Sequence, residues 1–399
     1  MRPLRRRGKR DQMFRGASML LLASLVANAH GAAPATATNV TVEQLDRRLA
    51  GLRDANDKSV ARELAGLKLT ERVSAQRLTR WQTGLHSERG REALLALADA
   101  AAFLPLPAAE VLPKAAPDGA IQDQILARMT DYVKGTLPKL PNFVALRTTT
   151  AFEVTTADYL QTQQNMGTLL ETRRGRQSTR VALGPAGANG LPNAQLFYAG
   201  SIAQVIAYRG GAEELEAAPG STDQRSAPFF SLTTTGEFGP VLELILNDVA
   251  RDKIVWDHWE RGETGAVAVF DYSVPHDRSH FGVAFTSDQV PELPAYHGEI
   301  AVDPAKGTVL RITQLTHVRE EDASHDAATL VEFGSAQIGG LTYTVPVHGV
   351  AKANSLDPFA NEDDQPPPVP YQTSINDITF TNYHVFRTKS RVMTGGLGP

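Results

Sequence analysis

The 399-residue chain contains no cysteine, which excludes disulfides, thiol nucleophiles, cysteine-held zinc and a lipobox-type lipid anchor. Long apolar runs are missing too: past the N-terminal segment nothing approaches the roughly 18 continuous apolar residues that a membrane-spanning helix needs. Catalytic signatures are equally scarce. There is no G-x-S-x-G elbow and no H-E-x-x-H zinc motif. The stretch "PAGANGLPN" around Gly187 is glycine-rich, but it does not lead from a strand into a helix as a phosphate cradle must.

An export signature is present. "MRPLRRRGKRDQMFRG" is basic, "ASMLLLASLVANAH" is apolar, and Ala27-Asn28-Ala29 supplies a small-x-small cleavage site, which together read as a secretory signal peptide over residues 1–29. The expected location is therefore the periplasm or the exterior. The segment holds seven of the 40 basic residues and one of the 44 acidic ones, leaving 33 basic against 43 acidic, a net charge near −10. That balance suits a soluble protein and argues against a nucleic-acid or anionic-membrane binder, despite the local basic run "RRGRQSTR" (Arg173 to Arg180).

The hydrophobic period divides the remainder. Residues 33–103 read as several short amphipathic helices, opened by a capping box in which Thr41 and Gln44 satisfy free amides of the first turn. Residues 104–137 read as a linker rich in proline and a connecting helix, "AIQDQILARMTDYVKGTL". Residues 138–393 switch to a period of two, in closely spaced Val-, Thr- and aromatic-rich strands joined by tight turns. Such neighbours must pair antiparallel, because parallel ones need a crossover of a dozen or more residues. One helix interrupts them, "GEFGPVLELILNDVA", with Val241, Leu244, Ile245 and Val249 as its apolar stripe and Thr234 with Glu237 as a capping box. A long acidic, proline-rich loop, Ser355 to Gln372, precedes the last strand. The fold class is α+β: an N-terminal helical domain, then a large curved, half-barrel-like antiparallel sheet with one packed helix.

The hairpin "GEIAVDPAKGTVLRI", with its Asp303-Pro304-x-x-Gly307 turn, resembles that of periplasmic lipoprotein-localisation (LolA/LolB) and sigma-factor-regulator (RseB) proteins. The resemblance implies a curved, incomplete antiparallel barrel around helical elements, with an apolar concave face that holds acyl chains. The region from "LPNFVALRTTTAFEV" through "TGEFGPVLELIL" to "TNYHVFRTKSRV" also resembles uncharacterised secreted proteins of the Acidobacteria type, which implies no activity.

Candidate sites follow from residue type and placement. Phe238, Leu242, Leu246, Phe270, Tyr272 and Phe281 are candidate ligand-lining residues, with Phe143, Phe152, Phe197, Tyr198 and Phe285 beside them; core filling is the favoured reading of the whole set, and periodicity does not separate a cavity from a core. His276 and His280 lie four apart around Asp277, a spacing that has metal-binding meaning on a helix but not in the loop that Pro275 implies. The acidic runs Glu320-Glu321-Asp322 and Glu362-Asp363-Asp364 read as solvated loops. No metal site, cofactor or catalytic residue is assigned.

In "KIVWDHWER", regular alternation would put Ile254, Trp256, His258 and Glu260 on one face and Val255, Asp257, Trp259 and Arg261 on the other. Asp257 and His258 would then point apart, with Glu260 within reach of His258. The expected function is an exported non-catalytic binding or interaction protein, with a lipid or lipoprotein acyl ligand in the concave sheet or an envelope protein as its partner. Two alternatives stand beside it: a secreted hydrolase using His258, Asp277 and His280, and a structural partner acting through its helices.

Overall fold

A computed structural model describes residues 37–52, 55–154, 196–210, 212–216, 232, 234, 240–263, 265–284, 291–319, 324–355 and 372–385. The signal segment, Phe238, Phe285, Glu237, the 173–180 basic run, Gly187, both acidic runs and nearly all of the 355–372 loop lie outside them.

Near the N-terminus, strands β1 (Thr38–Val40) and β2 (Leu67–Leu69) form a short parallel pair. Helices α1 (Val42–Gly51), α2 (Asp57–Ala65), α3 (Ala75–Gly84) and α4 (Glu88–Ala100) surround it. The capping box appears as read: Gln44 N donates to Thr41 Oγ1, and Thr41 N donates to Gln44 Oε1. The apolar stripes Leu45/Leu49, Val60/Leu64 and Leu94/Leu97 meet in one buried cluster with Trp81, whose indole N–H donates to Asp46 at 2.7 Å. The β1–β2 pair escapes a sequence reading because three residues are too few to show a period.

Helix α5 (Gly119–Thr136) follows, then strands β3 (Phe143–Val154), β4 (Leu196–Arg209) and β5 (Ala212–Glu216). Helix α6 (Pro240–Asp248) leads into β6 (Ile254–Arg261), β7 (Ala266–Val274), β8 (Tyr296–Val302), β9 (Val309–Arg319), β10 (Ser324–Ile338), β11 (Leu341–Ser355) and β12 (Gln372–Val385). The ten strands β3–β12 make one open antiparallel sheet in the order β5-β4-β3-β12-β11-β10-β9-β8-β7-β6. Two meanders thus meet where the first sheet strand, β3, pairs with the last, β12. The expected α+β class, with a helical N-terminal region and a large antiparallel sheet, is what forms.

Each face of the sheet is covered differently. On one face α5 (Ile125, Leu126, Met129, Val133) and α6 (Val241, Leu242, Ile245) pack onto Phe270, Tyr272, Tyr296, Ile300, Ile312 and Phe333. The sheet therefore carries two helices on this face, and the stretch expected to be linker and connecting helix supplies one of them. On the other face, Ala96 of α4 and Ala102 in the turn that follows it pack against Phe152, Leu330, Val350 and Ile375.

The proline-rich stretch before α5 closes an edge. Leu112 N donates to Trp259 O, and Arg261 N to Glu110 O. The Trp259 indole donates to Ala115 O at 3.0 Å while Lys114 Nζ stands 4.3 Å from its ring centre. This covers the last residues of β6, Trp259 to Arg261, against pairing with another chain.

The Asp303–Gly307 turn shows why its last residue is glycine. Gly307 has φ +74°, a conformation costing about 1–2 kcal/mol in any residue with a Cβ, and a Cβ there would stand 2.4 Å from the Arg128 carbonyl on α5. The turn and α5 are tied by Arg128 Nη1 donating to Pro304 O at 2.9 Å.

Candidate functional site

The charged chemistry gathers on the sheet face toward α4, where alternation places Glu260, Glu299, Arg311, Glu332, His348 and Asp377 on strands β6, β8, β9, β10, β11 and β12. Two linked groups result.

The first is centred on Glu260, whose side chain is 7% exposed. It accepts from Arg72 Nη2 at 2.8 Å, from Arg311 Nη1 and Nη2 at 2.9 and 2.8 Å, and lies 3.2 Å from His258 Nε2. Arg72 comes from the turn between β2 and α3, so this ion pair joins the helices to the sheet. Glu299 lies 3.1 Å from Arg311 and 3.7 Å from Arg72. Although burial alone would raise it, hydrogen bonds from His258 and Arg311 and the charges of both arginines leave the Glu260 carboxyl far below the usual carboxylate range. The bond to Glu260 in turn raises His258.

His258 corrects the alternation expected for this strand. The β6–β7 register slips between Trp256 and His258, so Asp257 is an extra, bulged residue and everything after it changes face. Trp256 and Trp259 therefore share one face, edge to face at 4.8 Å, with Trp256 also against Phe270. Asp257 turns to the other face and meets His258 Nδ1 at 2.7 Å. Asp257, His258 and Glu260 form a chain of contacts that a regular strand forbids. Beside them Asp271 and Glu299 stand directly opposite on β7 and β8, and oxygens of Asp257, Asp271 and Glu299 lie within 4.8 Å of one another. Burial, then repulsion from Asp257 and Glu299, pushes the Asp271 carboxyl up.

The second group is built on His348. Its Nδ1 meets Glu332 Oε2 at 2.9 Å and its Nε2 meets Asp377 Oδ2 at 2.7 Å. Burial opposes the imidazolium, but these two carboxylates outweigh it and hold His348 well above its ordinary value. Asp99, on α4, comes down onto this pair: ligand atoms of Asp99, His348 and Asp377 lie within 4.8 Å of one another. Asp99 is 2% exposed, and among the described residues its Oδ2 has no hydrogen-bond partner. Burial first, and then the charge of Asp377, raise its carboxyl well above the carboxylate range. Sequence reading missed this group, because a lone aspartate inside "LLALADAAAFL" and two strand residues 29 apart carry no spacing signal.

The residues singled out from sequence fall elsewhere. Phe270 and Tyr272 are fully buried under α5 and α6, Leu242 is buried on α6, and Leu246 and Phe281 pack at the margin of the same cluster. The best-defined cavity among the described residues, bounded by Tyr132, Leu140, Phe143, Leu242, Phe333 and Val345, holds about 20 Å³, space for about one water.

His276 and Asp277 are exposed. His280 pairs instead with Asp248 at the end of α6, Nδ1 to Oδ1 at 2.6 Å, and Asp248 also accepts from His280 N and from the Tyr296 hydroxyl, both at 2.8 Å. This pair lies on the α5/α6 face and His258 on the other, so the sheet separates the residues that the hydrolase alternative combines.

No family model matches the chain and no curated protein matches it. Among solved structures, the InvG secretin-domain β-barrel from the Salmonella SPI-1 injectisome base aligns over 63% of each chain at 7% identity with a TM-score of 0.08. A likeness at that level carries no argument about fold or function.

Proposed function

We propose that the chain is an exported, non-catalytic binding protein of the periplasm or cell envelope, and that its binding chemistry is polar and lies where the helices meet the sheet. One observation carries this reading. Among the described residues α5 and α6 pack across the apolar face that an acyl chain would need, and the cavity beside Leu242 and Phe333 holds about 20 Å³, whereas pockets for drug-sized ligands run to roughly 300–1,000 Å³. The opposite face gathers buried acids, two histidines and two arginines, an expensive arrangement that a simple packing surface has no use for.

Thermal unfolding of the purified chain against two ligand panels tests the reading. Small polar and ionic ligands are expected to raise Tm, and fatty acids and lysophospholipids to leave it unchanged. A saturable rise with an acyl ligand alone would overturn it and restore the lipid-carrier alternative.

Asp248 and His280 favour a second reading. A carboxylate that is 1% exposed orients, through Nδ1, an imidazole that is 76% exposed, which is how a general base is held. This hydrolase reading predicts turnover of ester or peptide substrates that His280→Ala abolishes; absence of turnover across both classes retires it.

A further inference from the structure

We propose that Asp99, His348 and Asp377 bind one first-row divalent cation, with Glu332 orienting the imidazole from behind. The inference rests on the polar-binding reading above and gives it a ligand.

Three features of the group point to an ion. The donor set is two carboxylates and an imidazole, the mixture that suits zinc and its neighbours; calcium instead takes six to eight oxygens. Asp99 is the second feature: burying a carboxylate without a partner is costly, and α4 brings this one within 4.8 Å of two other ligand atoms, its Oδ2 having no hydrogen-bond partner among the described residues. A cation supplies the missing partner. Third, Glu332 on His348 Nδ1 at 2.9 Å is the carboxylate–histidine arrangement that fixes the tautomer and orientation of a metal-bound imidazole.

The geometry needs only small adjustment. Zinc bonds of about 2.0–2.2 Å place tetrahedral ligands roughly 3.4 Å apart, against 4.8 Å or less here, so the ligand atoms need to draw together by at most about 1.4 Å. On binding, His348 Nε2 transfers its hydrogen-bonding role with Asp377 to the ion, and any proton on Nε2 or on the Asp99 carboxyl leaves to solvent. Among the described residues the His348 side chain keeps 23% of its surface exposed, the side from which an ion would approach. The ligands come from α4, β11 and β12, so the ion would fasten the helices to the sheet across more than 240 residues of chain.

The test is titration of the chelator-treated full chain with Zn²⁺ and Mn²⁺, read by native mass spectrometry and by Tm. One ion per chain and a Tm rise that saturates at one equivalent are expected, with no comparable rise from Ca²⁺. Asp99→Asn separates a site from a merely structural acid. It keeps the shape and removes the ionisable carboxyl, so the ion-free variant should melt at the same temperature or higher, yet bind Zn²⁺ at least tenfold more weakly. Glu332→Gln should weaken binding about 10- to 100-fold. Zinc that binds with several ions per chain, or as tightly to Asp99→Asn as to the parent, overturns the proposal. Failure here with other polar ligands still raising Tm removes this site alone; an acyl ligand as the only one bound removes the polar reading itself.

Discussion

Glu260→Gln is the sharpest perturbation of the seam between helices and sheet. The parent carboxylate receives three hydrogen bonds from two guanidinium groups and lies against a histidine, with 7% of its side chain exposed. Glutamine preserves volume and one acceptor but leaves Arg72 and Arg311, 8% and 12% exposed, with Glu299 as their nearest remaining carboxylate. Removing one partner of a buried ion pair typically costs about 3–5 kcal/mol. Because Glu299 retains both arginines, the lower half of that range is expected, about 3–4 kcal/mol. Denaturant unfolding followed by circular dichroism measures it. The companion Arg72→Met/Glu260→Gln variant should recover part of the loss, since replacing ion pairs by apolar groups is often neutral. A loss under about 1 kcal/mol, typical of exposed pairs, would refute the view that Glu260 fastens the helices.

Other expectations follow from single residues. Phe270→Ala should cost about 3–5 kcal/mol in denaturant unfolding, as for a packed core position; a loss near 1 kcal/mol would mean that the ring lines open space. Gly307→Ala combines a strained φ with the Arg128 contact and should cost roughly 2–4 kcal/mol by the same assay. His258 has a folded-state value raised chiefly by Glu260, with Asp257 also facing it. Its contribution is thus full below the ordinary imidazole value of about 6.5 and lost as pH rises through the higher folded value, so stability should fall between neutral and alkaline pH. His258→Gln should lessen that fall, with His348, whose value is also raised, supplying the rest, and an unchanged profile in chemical denaturation would count against the assignment.

The sequence was informative where a period or a turn rule applied. Thr41/Gln44, the α6 stripe and the Asp303–Gly307 turn announce themselves through local chemistry, and tight turns between β-rich segments force antiparallel pairing. Tertiary effects stayed hidden. A single bulge at Asp257 reverses the facing of every later residue in β6, and nothing in "KIVWDHWER" marks it. Arg72 with Glu260, and Asp99 with His348, meet across 188 and 249 residues, so their chemistry exists only once the helices dock. The aromatics Phe270 and Tyr272 could line a cavity or fill a core, and α5, which reads as a connector, is what fills the space above them.

Native mass spectrometry of the chain purified gently from the cells that make it tests the central claim most directly. The polar-binding account predicts a chain free of acyl species, whose apolar face is already occupied by its own helices. One fatty acid or lipid retained per chain would contradict it.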